Sequence, residues 1–600
     1  MTEAIFQPLD IARRSDSGRD AVVAVAAAVV MQAIYAAGGF PTLSDAGSDN
    51  DSLLRLVQIR DLIAGQGWFD LHQYRMGPEG GFVMHWSRLV DAPIAALVLV
   101  ASAVLGSAAG ETVALLVWPF LLSALCMFFL LRAARWFGGE ETLLPAVVLG
   151  AAALHFIGLF QPAAIDHHNV QLTLALAMLA LLLEPGRYRG LLAGVCGALM
   201  LAVGMETLPY VAAAGAAVSW LFLTRDDAET SRGFGAGLAA TGAAAFVVTV
   251  PIAQWSVAAC DAYSVAQLTL AVTAGAGLVA VTLLQPARRT GVRRTIALAA
   301  LGAGIASLCA LAFPQCLADP YAFLDPRLRT YWLDLITEAQ PLWSIVRENP
   351  GMIASHYLTP ALALVLLALG LKGVPERARV VVAALLGMAF LVSVWQVRGS
   401  VFSLTFAVLP LSAWIASLRR AARENPGRRR EARALLAWLV SFNLVWVGGV
   451  IAVRIALEDG SVSPPAATSS RCTAVSEYSV LSAIPATRVL AISNLGAPIL
   501  RNTAHSVLAG PYHRNVAGNL AALTAFMGSA NEAEDVIRGN AVTLLAFCPG
   551  NDESRLLADF APAGLAALLM QGQFPQWLEP LATDADASLK LFRVRPVLAP

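Results

Sequence analysis

Lysine is almost missing from this 600-residue chain: Lys372 and Lys590 are the only two, and every other basic residue is arginine. Charge of either sign is scarce as well. Charged residues make up 14% of the sequence against 57% hydrophobic, where a soluble chain carries about a quarter. Basic and acidic residues balance at 41 each, so no basic surplus points to nucleic acid. The seven cysteines contain no Cys-Xaa-Xaa-Cys spacing, which argues against a cysteine-built zinc or iron–sulfur site. Internal repeats and low-complexity stretches are missing, and with them the inverted-repeat signature that secondary transporters often carry.

What the chain has instead is long apolar runs. Repeated runs of this length satisfy their backbone in a bilayer only as helices, so the fold class is a polytopic α-helical membrane protein. Thirteen spans are predicted, near 21–38, 111–132, 142–160, 170–184, 188–205, 208–223, 234–254, 263–284, 294–313, 356–371, 379–396, 400–417 and 434–456. Orientation follows from arginine: the short loops with Arg132 and Arg135, Arg187 and Arg189, Arg288 to Arg294, Arg377 and Arg379, and Arg419 to Arg433 belong on the cytoplasmic side. They alternate correctly only if the apolar stretch 92–106 does not cross and forms a re-entrant or interfacial helix outside. Arg13, Arg14 and Arg19 ahead of Ala21 to Gly38 read as an uncleaved first span.

The resulting organisation is a cytoplasmic tail at 1–20, a membrane domain at 21–456 with large outer segments 39–110 and 314–355, and an outer soluble domain at 457–600. In that last part Arg488 to Ser493 and Ala541 to Phe547 read as buried strands, and 518–526 and 552–569 as helices, which predicts a small α/β layer. Cys126, Cys196 and Cys309 fall in apolar runs and read as small buried hydrophobes. Cys472 and Cys548 fall in the polar C-terminal part, where an oxidising compartment permits a disulfide.

Polar residues that interrupt such runs are costly unless they face water, a metal or a substrate. Asp166-His167-His168-Asn169 stands between the apolar runs Leu143 to Phe160 and Val170 to Leu183. Carboxylate and imidazole together suit Mn²⁺, whereas Mg²⁺ prefers oxygen. Consecutive positions on a turn are not expected to face one ion together; Asp166 and His168 can if the chain is locally extended. The plainer reading is a helix cap with interfacial histidines. Asp51 precedes an amphipathic stretch (Leu53, Leu54, Leu56, Val57, Ile59), where a carboxylate is favoured by the helix dipole. The plainer reading there is an N-cap by Asn50, Asp51 or Ser52. Thr337-Glu338 lies in a long outer loop rich in aromatics, the kind that often serves as a lid, although solvation alone explains a loop carboxylate. Arg398 is a lone outer-face arginine and suits a phosphate through its planar fork, or else snorkels to headgroups. Glu206, in Gly204-Met205-Glu206-Thr207, is a further outer-face carboxylate.

In span number, topology and motif order, residues 20–456 resemble the catalytic subunit of the oligosaccharyltransferases, within the GT-C membrane glycosyltransferases. Asn50-Asp51-Ser52 followed by Asp61-Leu62-Ile63-Ala64-Gly65 is similar to the family's first outer-loop motif. Asp166-His167-His168 is similar to the archaeal form of its second acidic motif, Thr337-Glu338 to its hydroxyl–glutamate motif, and Arg398 to its phosphate-binding arginine. The resemblance implies a divalent cation (Mn²⁺ or Mg²⁺) held by Asp51 and Asp166, with His168 or His167 and Glu338 completing the shell. It implies catalytic roles for Asp51, Asp166 and Glu338, and substrate binding by Arg398, Glu206 and Thr337. It further implies a polyprenyl-phosphate or polyprenyl-diphosphate sugar donor, membrane-lipid surroundings and a multi-pass bacterial inner-membrane protein with a periplasmic active site. The family's Trp-Trp-Asp-Tyr-Gly acceptor motif is missing from the sequence, which leaves a lipid, a glycan or a protein as acceptor. The alternatives are a transporter or flippase, which would hold its charges near the bilayer midplane, and a non-catalytic assembly protein that keeps the fold.

Overall fold

The computed structural model describes residues 16–45, 48–285, 290–319, 321–457, 472–582 and 587–596. The predicted tail up to residue 15, the Arg288-Arg289 pair and the junction at 458–471 lie outside them. Each of the thirteen apolar segments is helical: α1 (Ser17–Ala37), α4 (Ser107–Gly138), α5 (Leu143–Ile157), α6 (His167–Leu183), α7 (Arg187–Val203), α8 (Leu208–Arg225), α9 (Ala228–Thr249), α10 (Val265–Leu283), α11 (Gly291–Ala312), α14 (Pro350–Leu369), α15 (Glu376–Trp395), α16 (Ser400–Glu424) and the pair α17 (Arg428–Val440) and α18 (Asn443–Leu457). Among the described residues ten helices are long and apolar enough to cross a membrane by themselves, or eleven if α17 and α18, bent by 84°, form one span. The predicted thirteen therefore includes helices such as α6 and α7 that have only 17 residues each. They fall short of the ten in length, and α6 has most of its side chains covered by neighbouring helices. Helix α16 runs through the middle, with nearly its whole length buried.

Small residues explain the tightest helix contacts. On α7, Gly190 and Gly194 lie against the backbone of Thr230 and Phe234 of α9, while Gly233 and Gly237 of α9 lie against Arg187 and Leu191 of α7. In lipid no hydrophobic force drives helices together, and glycines let two backbones reach dispersion contact.

The stretch expected not to cross is α3 (Arg88–Leu105), joined to α4 through Gly106 at φ +84°. By length and hydropathy α3 is one of the ten helices able to cross a membrane, and it is held by polar contacts near each end. Arg88 donates to the Gln58 carbonyl of α2 (Asn50–Ile63) at 3.4 Å, and just past the turn Glu111 pairs with Arg501 of the C-terminal unit at 3.2 Å. At the opposite ends of the helices the arginines meet acids: Arg132 and Arg189 reach Glu184, Arg135 reaches Asp20, Arg420 reaches Glu141 and Arg377 reaches Asp227.

The C-terminal unit has a five-stranded mixed sheet in the order β4-β3-β5-β7-β6: β3 (Arg488–Leu490), β4 (Ser506–Val507), β5 (Leu544–Phe547), β6 (Leu578–Pro580) and β7 (Lys590–Val594). Both predicted strands form, shortened at their ends. Helices Val516–Met527, Asp552–Phe560 and Leu565–Met570 cover the sheet. Cys472 and Cys548 form a disulfide across 76 residues. Replacing either by serine is expected to destabilise this unit by about 2–4 kcal/mol through regained unfolded-state freedom, which differential scanning calorimetry with and without reductant measures. A second disulfide, Cys260–Cys316, joins the loop before α10 to the long outer loop; both cysteines fall between predicted spans, and the sequence does not mark them as a pair.

Candidate active site

The site begins with which carboxylate caps α2. Asp49 does: its side chain accepts the Ser52 amide at 2.6 Å and the Ser52 hydroxyl at 2.8 Å. Asp51 is therefore not used as the cap. The Ser52 oxygen also accepts the backbone amides of Ile165 and Asp166, at 3.1 and 3.2 Å. One hydroxyl thus pins the outer-loop helix against the turn before α6 and brings the Asp51 and Asp166 segments together.

Asp166 stands at the N-cap position of α6 with extended backbone (ψ 159°), but its side chain makes no capping bond. It turns to the two histidines instead. His167 Nδ1 lies 2.5 Å from Asp166 Oδ1, and His168 Nε2 lies 3.5 Å from Asp166 Oδ2. Against the expectation from the turn, one ligand-type atom from each of Asp166, His167 and His168 falls within a 4.8 Å group. The change from extended backbone at Asp166 to helix at His167 is what allows it. Asp51 lies outside that group, one layer away, and is coupled to it by charge. Burial first, then the charges of Asp166 and Asp49, with a smaller part from Glu338, push the Asp51 carboxyl well above the usual range.

Glu206 closes the other flank. Its Oε1 accepts from Gln171 Nε2 at 2.7 Å and faces His167 Nε2 at 2.8 Å. The amide orientation this gives Gln171 leaves its Oε1 to accept from His168 Nδ1 at 2.9 Å. In the neutral ring, His168 Nε2 then carries the lone pair and points toward Asp166. His167, by contrast, has a carboxylate at each nitrogen. Gly204 leaves room for this arrangement: a Cβ would overlap Gln171 Nε2 and come within 2.7 Å of the Glu206 carboxylate, so both side chains would have to shift. Gly204→Ala is expected to keep the fold but lower turnover about 10- to 100-fold, the usual cost of losing a supporting group behind a ligand; steady-state rates alongside a melting curve separate the two effects.

Thr337 and Glu338 form a short turn, Thr337–Ala339, and both are exposed. The Gln340 carbonyl accepts the Val397 amide at 3.0 Å, which fixes that turn beside Arg398. The Arg398 guanidinium touches the Tyr321 hydroxyl and feels the charges of Glu206 and Glu338; its Nε donates to Gln396 at 2.9 Å. Direct contacts thus join Asp166, His167, His168 and Glu206, and charge interactions link Asp51 to Asp166 and Glu338, and Arg398 to Glu206 and Glu338.

Sequence reasoning missed Arg55. Fully buried, it pairs with Asp91 at 2.6 Å, stacks over Trp86 at 4.5 Å, and places Nη2 3.3 Å from His167 Nδ1 and 3.7 Å from Asp166 Oδ1. The available signal was its position one helical turn after Asp51, on the same face. Gln171, three residues after His168, was legible by the same rule.

A bundle of this kind, with an acid–histidine cleft at the helix ends beneath a small α/β unit, has the fold of the oligosaccharyltransferases. Among solved structures, the archaeal oligosaccharyltransferase AglB from Archaeoglobus fulgidus in complex with an inhibitory peptide and a dolichol-phosphate superposes with TM-score 0.65 at 15% identity, covering 94% of this chain and 72% of that one. The Archaeoglobus fulgidus enzyme tethered to an acceptor peptide containing the NVT sequon gives TM-score 0.63 at 14% identity, covering 97% and 74%. Its complex with Zn and sulfate gives 0.57 at 14%, covering 96% and 73%. No protein-family profile and no curated protein matches the chain.

Proposed function

We propose that the chain is a GT-C membrane glycosyltransferase that moves a sugar or oligosaccharide from a polyprenyl-phosphate or polyprenyl-diphosphate donor to an acceptor on the side of the C-terminal unit. The observation that carries this reading is the cleft itself: acids and a lone-pair histidine on one wall and Arg398 on the other, in an oligosaccharyltransferase fold. The charges lie at helix ends and not at mid-span, which disfavours a transporter.

The donor set fits a divalent cation. Asp51, Asp166 and His168 would hold it, with Glu338 within reach of its charge, and such an ion would favour the ionised Asp51 carboxylate that burial and the neighbouring acids disfavour. When bound, the cation supplies neutralisation of the departing phosphate. Arg398 supplies the opposite contact, a bidentate grip on phosphate oxygens. His167, held between Asp166 and Glu206, keeps both carboxylates in place, and Arg55 fixes Asp166 from behind. Asp51, in the first turn of α2, accepts a hydrogen bond from the incoming acceptor and orients it. Arg398→Ala is expected to raise the KM for donor about 10- to 100-fold, as the loss of a charge-assisted hydrogen bond of about 1.5–3 kcal/mol implies; Arg398→Lys restores only part, since it lacks the fork.

The two disulfides on this face support an oxidising compartment, the periplasm of a bacterial cell. One neighbour is tethered to an acceptor peptide; here the missing Trp-Trp-Asp-Tyr-Gly motif leaves lipid, glycan and protein acceptors open. Mass spectrometry of lipid-linked glycans and envelope glycoconjugates, with and without this protein, tests the reading. Accumulated lipid-linked donor with loss of one glycoconjugate is the expected outcome. Unchanged profiles of both would contradict it.

A further inference from the structure

A second cluster of metal-type ligands borders the first and shares none of its residues. His85 comes from the connection before α3, Asp261 from the loop before α10, and His513 from the Gly510-Pro511-Tyr512-His513-Arg514-Asn515 segment of the C-terminal unit. One ligand-type atom from each falls within a 4.8 Å group. His513 Nε2 is 2.8 Å from Asp261 Oδ2, and the two imidazoles have centroids 4.7 Å apart. His85 Nδ1 is buried and has no hydrogen-bond partner among the described residues. Two rings this close are costly to charge together, so a lone pair is available on this wall.

The geometry points to a second metal site, of the zinc class, formed by His85, Asp261 and His513 and clamping the C-terminal unit onto the membrane domain. Two imidazoles and one carboxylate are a donor set zinc takes readily, and three protein ligands leave a position for water. Its donor composition, two imidazoles and a carboxylate, is the same as that of Asp166, His167 and His168 in the cleft, so the two sites are told apart by variants and not by the choice of ion. Arg514 holds the carboxylate from behind, with Nε and Nη2 each 2.7 Å from an Asp261 oxygen, as a supporting group does for a ligand. Tyr321 and Phe323 stand around the His513 ring at 5.8 and 6.2 Å and limit water.

Three separate outer segments meet at this point, which gives the clamp its purpose. Cys260, next to Asp261, is bonded to Cys316 at the start of the long outer loop that carries Glu338. Trp86, next to His85, stacks on Arg55 and stands 6.1 Å from the His167 ring. Tyr512, next to His513, donates to the Asn50 carbonyl at 2.9 Å, one residue before Asp51. Each ligand is thus adjacent in sequence to a residue that holds part of the cleft or its lid.

Full-length protein stripped with chelator and titrated with Zn²⁺ alone tests the site. The wild type is expected to hold one more zinc than His513→Ala or His85→Ala, and Asp166→Ala is expected to retain that zinc, which separates this site from the cleft. Equal zinc content in wild type and both histidine variants would overturn the proposal. Zinc-edge anomalous diffraction of the wild type is independent of how the variants fold: a peak between His85, Asp261 and His513 supports the site, and peaks confined to the cleft or to the surface show an ion-pair latch and overturn it.

Discussion

Asp166→Ala is expected to lower glycosyl transfer at least about a hundredfold to a thousandfold, the effect of removing one preorganised electrostatic group from a transition-state site. The protein is expected to remain folded. The Asp166 side chain does not cap α6, so the helix start loses nothing, and Arg55 keeps its 2.6 Å partner Asp91. Asp51→Ala should show the same loss of transfer with unchanged or slightly raised thermal stability, because it relieves repulsion among Asp49, Asp51 and Asp166. Initial rates with purified variants, each paired with a melting curve, check both. Loss of transfer together with loss of fold would assign these residues to structure instead.

Gly194→Leu is expected to have the largest effect on assembly. Even a Cβ at this position would overlap the Phe234 carbonyl and come within 2.7 Å of the Leu238 amide, and backbone cannot rotate away as a side chain can. Overpacking costs about 1–3 kcal/mol where side chains can adjust. Here the two helices must separate, and Gly190, Gly233 and Gly237 lose their contacts with them. The variant should fail to give a monodisperse peak on size-exclusion chromatography in detergent. Gly302→Ala on α11 is the matched control: nothing lies within 4 Å of its Cβ, and the change should be neutral or stabilise by up to about 1 kcal/mol.

The helical segments were legible because hydropathy reports burial in lipid or protein directly. Their number of crossings was less so. A 17-residue helix such as α6 reads the same whether it is ringed by lipid or by neighbours, and the 84° break between α17 and α18 leaves little trace in composition. The acids and histidines of the cleft stood out because charge in apolar sequence is costly. The residue that caps α2 did not: Asp49, Asn50, Asp51 and Ser52 are all good caps, and only the fold shows that Asp49 takes the role and spares Asp51. Arg55, Trp86 and Asp91 stayed hidden for a different reason. Their meaning lies in contacts between segments far apart in sequence, as does that of Cys260 with Cys316 and of His513 with Asp261.

The central claim is that a divalent cation held by Asp51, Asp166 and His168 activates a lipid-linked sugar donor. Its most direct measurement is hydrolytic transfer to water from a purified polyprenyl-diphosphate oligosaccharide by the full-length protein, stripped with chelator and then titrated with Mn²⁺, scored as release of free oligosaccharide and polyprenyl diphosphate. The account predicts no release without metal, saturable recovery with Mn²⁺, and no recovery in Asp166→Ala at any Mn²⁺ concentration. Full release by the stripped wild type, or equal recovery in Asp166→Ala, would contradict it.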